Sequence, residues 1–335
     1  MPTHYLFGTV LTGEAVAANN RGENLGNTTT LQKVFHHDDL HTSVSAEAIR
    51  FALRYRFQLQ GLRVNRSYDG ALGRLAYVDE KRTSWNPQAD VFIDDDIMGF
   101  MDAAAAAQER EAEEAPTEGA APSSDAPASA ARAKPKKAKG KTTKRPSPLA
   151  IGRAISLRPY RGELSFNAVS GEKEKGKLSL YSAEMHTTEY QYSFGINLDD
   201  VVKKANIGHL IDAIVDPPAV AGNHARFAFD FSPASIILRV TNAHSSRIQN
   251  CFEHDEARRG YSVDRLLVRV KSGDIPVTEL VVGGELASRP QGEELKKLGA
   301  DVHLGVVAAA TAARTRIVAF GGDFAAVASP AGTGT

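Results

Sequence analysis

The chain has 335 residues, 42% of them hydrophobic, enough to close a real core as one large domain or two ordinary ones. Forty Lys and Arg balance forty Asp and Glu, so net charge gives no general attraction to nucleic acid, and any such affinity must come from local patches. The single cysteine, Cys251, excludes an internal disulfide and a cysteine-based zinc site, and it fits a reducing cytoplasm.

The opening Met1-Pro-Thr-His-Tyr has neither the basic nor the apolar segment of a secretory signal, and the apolar run over 305–320 is broken by Arg314 and Arg316. No export and no membrane span are expected, which places the chain in the cytoplasm. Leu6, Gly8 and Val10 then alternate with Tyr5, Phe7 and Thr9, a pattern that predicts a first strand buried on both faces. The polar run Asn19-Asn-Arg-Gly-Glu-Asn-Leu-Gly-Asn-Thr28 follows, rich in residues that tolerate left-handed backbone and expose N–H groups. Such chemistry serves a phosphate-cradling loop or an ordinary surface turn. His36-His-Asp-Asp-Leu-His41 offers nitrogen and oxygen ligands, but no second cluster of recognisable spacing accompanies it; it reads as a metal site or, more simply, as polar surface, and no metal is expected.

Ser43 or Ser45 can cap a helix running to about residue 57, with Ala48, Ile49, Ala52 and Leu53 on its core side. Glu47, Arg50 and Arg54 share another face. They read as an exposed Glu–Arg pair of little energetic weight, or as two guanidinium forks beside the glycine-rich loop, each able to hold a phosphate. In the second reading loop and helix form a backbone-binding groove. Asp94-Asp-Asp96 could bind a divalent cation, yet Ile97-Met-Gly-Phe-Met101 follows at once and marks the edge of a packed element.

Residues 103–147 contain no aromatic residue and no Ile, Leu or Val, except for Ala and Pro nothing apolar that could offset ordering entropy, and read as a disordered insertion. Its first half is acidic and its second half basic; it holds nine basic and six acidic residues, leaving 31 basic against 34 acidic in the remainder. The basic half could touch a phosphate backbone or simply be solvated. Residues 155–181 form two apolar-containing arms around Ser170-Gly-Glu-Lys-Glu-Lys-Gly-Lys177, the pattern of a projecting β-hairpin.

Tyr190, Tyr192, Phe194 and Ile196 alternate with Gln191, Ser193 and Gly195, and Phe227, Phe229 and Phe231 alternate with Arg226, Ala228 and Asp230, predicting two half-buried strands. A helix over about 199–215 is predicted between them, and strands near 236–241, 266–270 and 277–282 follow. The mixture predicts an α+β fold with a mostly antiparallel sheet covered on one face. His224 and Arg226 could face a ligand, although a hydrogen-bonded, partly buried histidine is the commoner outcome. Gly283-Gly284 and Gly321-Gly-Asp-Phe324 are too short for nucleotide fingerprints, and no Walker loop, nucleophile elbow or zincin helix is present.

Five stretches in order resemble the DevR-type (Cas seven) backbone subunits of type I CRISPR Cascade complexes. They are Asn20-Arg-Gly-Glu-Asn-Leu-Gly-Asn27, Val44-Ser-Ala-Glu-Ala-Ile-Arg-Phe-Ala-Leu-Arg54, Asp94-Asp-Asp-Ile-Met-Gly-Phe-Met101, Glu184-Met-His-Thr-Thr-Glu-Tyr-Gln-Tyr-Ser-Phe-Gly-Ile-Asn197 and Asn223-His-Ala-Arg-Phe-Ala-Phe-Asp230. The resemblance implies an RRM-like (ferredoxin-like) palm over 1–60, 148–154 and 182–335, an inserted helical lobe over 61–147 and a β-hairpin thumb over 155–181. It implies no cofactor and a crRNA partner, with Asn20, Arg21, Asn24, Asn27, Ser45, Glu47, Arg50, Arg54 and Arg158 along the guide backbone and Phe166 as a wedge between bases. Further copies of the chain, other Cascade subunits and target DNA paired to the guide are the other implied partners. The long 103–147 tract departs from the pattern and puts a DNA contact by the lobe in doubt.

Two other readings stand beside this non-catalytic one. A metal-independent CRISPR repeat endoribonuclease of related fold would use His36, His41 or His224 as general base. A stand-alone nucleic-acid-binding regulator would act as a monomer or dimer.

Overall fold

The computed structural model describes residues 3–18, 21–26, 28–81, 85–88, 90–101, 144–168, 180–221, 229–256 and 260–328. The first stretch of elements is β1 (Tyr5–Thr12), β2 (Ala15–Ala17), β3 (Arg21–Leu25), β4 (Thr28–Leu31), β5 (Lys33–His36), β6 (Asp39–Val44), α1 (Ala46–Leu59), β7 (Arg66–Asp69), β8 (Arg74–Tyr77), α2 (Ile93–Met98) and β9 (Phe100–Met101). Next come β10 (Lys144–Arg145), β11 (Leu149–Ile151), β12 (Ala154–Ser156), β13 (Glu163–Ala168), β14 (Leu180–Thr188), β15 (Tyr190–Asn197) and α3 (Ala205–Val215). The chain continues through β16 (Pro233–Thr241), β17 (Glu253–Asp255), β18 (Gly260–Ser262), α4 (Asp264–Lys271), β19 (Leu280–Gly284), α5 (Pro290–Leu298), β20 (Asp301–His303) and α6 (Val306–Val318). Among the described residues no helix is long and apolar enough to cross a membrane.

A nine-stranded sheet in the order β20-β19-β16-β1-β15-β12-β6-β5, with β11 also on β15, carries the fold. β1 lies at its centre, antiparallel to β15 and β16, and β20 runs parallel to β19. Period-two alternation sorts the side chains of these strands into two cores. Leu6, Val10, Ile236, Leu238 and Val281 join one core with α1, α2, α3 and α6, while Leu11, Ile237, Leu280 and Val282 join the other with α4 and α5. Each Leu or Ile so buried contributes roughly 1.5–3 kcal/mol. The sheet is therefore covered by helices on both faces, where one was expected.

The second cover arises from a segment read as a strand. Leu266, Leu267 and Val270 are buried on one side of α4, with Asp264 in its first turn and Arg269 and Lys271 in its last, charges that suit the two ends of a helix. A short apolar run fits either period, and the spacing of three and four decides it.

α1 follows its sequence closely. Ser45 caps it, accepting from the Ala48 N–H at 3.2 Å, while Ile49, Ala52, Leu53 and Phe57 face the core. Ser43, the other candidate cap, belongs to β6. The helix expected over 199–215 starts only at Ala205, because Asp96 accepts the Val202 and Lys203 N–H groups and holds that stretch as a turn. Residues 277–279 form a 3₁₀ turn before β19. Phe229 and Phe231 are not in a strand; their buried rings pack on Tyr190 at 5.3 and 5.8 Å, and residues 222–228, with His224 and Arg226, lie outside the described residues. Lys144 and Arg145, counted by composition with the disordered tract, form β10 against β9, Pro146 and Ser147 follow in the described chain, and residues 103–143 lie outside the described residues.

Candidate nucleic-acid interface

The helix face that carries Arg50 and Arg54 is occupied by protein contacts. Arg50 donates to the Leu149 carbonyl at 2.7 Å and to Ser147 Oγ at 3.4 Å, fastening α1 to β11. Arg54 Nε lies 3.3 Å from Asp94 Oδ2, and its side chain is 12% exposed. Burial, more than the nearby Arg66, pushes its pKa down to about 10, and Asp94 and Asp95 work against that shift. The expectation of two solvent-facing forks is therefore not what packing produces: the carboxylates of α2 claim the inner one. Glu47 is exposed at the start of the helix, and Ser45 spends its hydroxyl on the cap.

The three aspartates of α2 are structural fasteners. Asp94 accepts the Asn65 and Arg66 N–H groups, Asp95 accepts the Asn65 side chain, and Asp96 accepts from Arg145, Asn206, Val202 and Lys203. All three are essentially buried, and carboxylates with so many donors need no cation. Among the described residues no group of three or more His, Cys, Asp or Glu could hold a metal.

The glycine-rich run after β2 is not an open turn. Residues 21–25 form β3, paired with β4 in a second, five-stranded sheet of order β13-β14-β4-β3 with β2 also on β14. Asn20 and Asn27 lie outside the described residues, as do the side chains of Arg21 and Asn24. Register brings four residues into one row: Phe166 opposite Ser182, Ser182 opposite Thr28 and Thr28 opposite Leu25. Paired positions point to the same face, so Phe166 and Leu25 stand at the two ends of that row. They are 73% and 71% exposed, and Leu164, two residues from Phe166 on the same face, is 64% exposed. Leu25 escaped the sequence reading, and Leu164 entered it only as an apolar residue of the hairpin arm, because cross-strand register is a tertiary property; the one local signal of Leu25 is an apolar residue alone among polar ones.

Arg158, at the start of the β13–β14 arm, is not a free cation. It forks onto Glu189 at 3.0 and 3.1 Å and reaches Glu14 at 2.5 Å. The Glu189 hydrogen bond is the main cause of its raised pKa. Lys33 pairs with Glu184 and lies 4.7 Å from the centre of the Tyr160 ring. Of the histidines that could act as bases, His41 is buried on the Ser156 carbonyl at 2.7 Å, whereas His36 lines a cleft of about 920 Å³ shared with Arg247, Arg265 and His254.

Residues 10–271 match the family described as "CRISPR-associated negative auto-regulator DevR/Csa2". The chain belongs to the DevR/Csa2 family. In this DevR/Csa2 chain the matched region runs from β1 through α4, and so takes in both α1 and the β13–β14 hairpin. It is 37% identical over 322 residues to the CRISPR-associated protein Cas7/Cst2/DevR of Myxococcus xanthus (strain DK1622), covering 93% of this chain and 97% of that one. Its fold resembles a chain of a "CRISPR RNA-guided surveillance complex, pre-nicking", with a TM-score of 0.54 at 12% identity over 92% of this chain and 100% of that chain.

Proposed function

We propose that this DevR/Csa2 chain is a non-catalytic crRNA-binding backbone subunit, which oligomerises along guide RNA with other Cascade subunits and presents the guide for pairing with target DNA. The protein would read backbone and shape while base pairing reads sequence. Family membership supports this reading, and the single observation that carries it furthest is the row from Phe166 through Ser182 and Thr28 to Leu25, whose two apolar ends are exposed among the described residues.

In this reading 155–181 is the thumb, and Phe166 wedges between bases where the guide bends, since an aromatic ring can stack where bases part. The order β16-β1-β15 with β11 and β12, all antiparallel, and with α1 and α3 in one core, is the split βαβ arrangement we assign to an RRM-like palm of residues 1–60, 148–154 and 182–335. Residues 61–147 are the inserted lobe. Asn20, Arg21, Asn24 and Asn27 follow the guide backbone from β3 and its flanks. Ser45, Glu47, Arg50 and Arg54 line the same path, with Arg54 acting by holding the lobe on the palm, and Arg158 reaches phosphate only by exchanging a carboxylate.

Affinity purification from cells that express a CRISPR array tests the proposal. A large particle holding repeat–spacer RNA of uniform length is the expected result; a small species free of RNA would overturn it.

A further inference from the structure

A second aromatic surface lies on the central sheet, away from α1 and from the row at Phe166. Leu6 and Val10 point into the core shared with α1, so Tyr5 and Phe7, at the intervening positions of β1, point to the opposite face. Their rings lie nearly parallel, 11° apart in plane and 5.5 Å between centres. Phe7 lies flat against β15, because its neighbour there is Gly195: a Cβ at that position would come within 2.7 Å of the ring. Tyr5 is fixed from the other side, its hydroxyl 2.8 Å from His244 Nδ1. Both rings are held in place and both are only half-buried.

The open side of the pair faces a pocket of about 630 Å³. Gln249 and Asn250 form its rim and also line the larger cleft of about 920 Å³, so the two hollows share one wall. Gln249 is exposed and its side-chain amide has no hydrogen-bond partner among the described residues. It offers a donor and an acceptor together, which is what the edge of a nucleobase requires. Beyond it stand Arg247 and Arg265, paired with Asp274 at 2.7 Å and Glu253 at 3.0 Å through side chains 45% and 47% exposed. Exposed pairs of this kind hold weakly, so a phosphate can replace either carboxylate.

We infer that this face binds single-stranded RNA, stacking an unpaired base on Tyr5 and Phe7 with its edge on Gln249 and the adjoining phosphates on Arg247 and Arg265. The inference rests on the reading of the chain as an RNA-binding protein. The base must be unpaired, since a duplex hides its rings from a stacking platform.

The test uses the full chain, freed of RNA, with an oligoribonucleotide carrying one 4-thiouridine. Crosslinks are mapped by mass spectrometry, and affinity is read by fluorescence anisotropy for the protein as it is, Tyr5→Leu, Tyr5→Phe and Gln249→Leu. We expect a crosslink on the peptide that contains Tyr5 and Phe7. Tyr5→Leu weakens binding at least about fivefold, the lower end of what loss of a stacking ring does, with an unchanged salt slope because no charge is removed. Tyr5→Phe retains the affinity, and Gln249→Leu, a surface change that leaves folding alone, reduces it. RNA binding with crosslinks confined to other peptides, and with Gln249→Leu and any folded Tyr5→Leu protein unaffected, overturns this inference and leaves the proposed function standing. No binding of RNA by the unaltered chain overturns both.

Discussion

Arg54 and Asp94 form a buried contact, Nε to Oδ2 at 3.3 Å, that joins α1 to the short helix α2 before the long polar tract. Asp94 is fully buried, so Arg54→Ala strands part of a carboxylate in the interior even though Asn65 and Arg66 still donate to it. The expected effect is a loss of roughly 2–4 kcal/mol of stability, read as a lower denaturant midpoint. Arg50→Ala, which removes one donor to a carbonyl, should remove only about 1 kcal/mol.

The same buried carboxylates mark where the polar tract can be cut. Arg145 pairs with Asp96 at 2.8 Å, and the two side chains are 15% and 0% exposed. Deleting residues 103–143 should leave the thermal midpoint unchanged, because that stretch has almost no apolar surface to bury. Extending the deletion through residue 147 removes Arg145 and should destabilise the fold by roughly 2–4 kcal/mol. Calorimetry on the two deletions checks both statements.

Phe166 is exposed, so Phe166→Ala should change stability by no more than about 0.5 kcal/mol. If the row it belongs to meets RNA or a neighbouring copy, the same substitution should weaken RNA binding at least about fivefold in a filter-binding assay. Leu25→Ala, at the far end of the row, reports whether the whole face or the ring alone is used.

His186 is buried with its Nδ1 2.8 Å from Thr42 Oγ1, and burial, the largest cause, pushes its pKa down to about 4 from an ordinary 6.5. The unfolded chain therefore takes up the proton first. Its contribution to stability is complete above about pH 6.5 and is lost as the pH falls toward about 4. Denaturant melts across that window should show the decline for the native chain, and a shallower one for His186→Asn.

Local signals were legible in the sequence and long-range ones were not. α1 announced itself through a serine cap, Ser43 or Ser45, and the spacing of Ala48, Ile49, Ala52 and Leu53, and β1 and β15 through strict alternation, because cap and period are written within a few residues. α4 was hidden because Leu266, Leu267 and Val270 suit either period over so short a run. The direction of the Arg54 guanidinium depends on Asp94, far along the chain, which no periodicity of α1 encodes. The placing of Leu25 and Phe166 in one row likewise depends on how β14 registers against β4, a choice made by tertiary packing.

The central claim is that copies of this chain line up along a guide RNA. Native mass spectrometry of the protein reconstituted on guide RNAs of graded length tests it most directly. A mass that climbs by whole copies of the chain as the RNA lengthens is the predicted result; a fixed ratio of one or two copies at every length would contradict it.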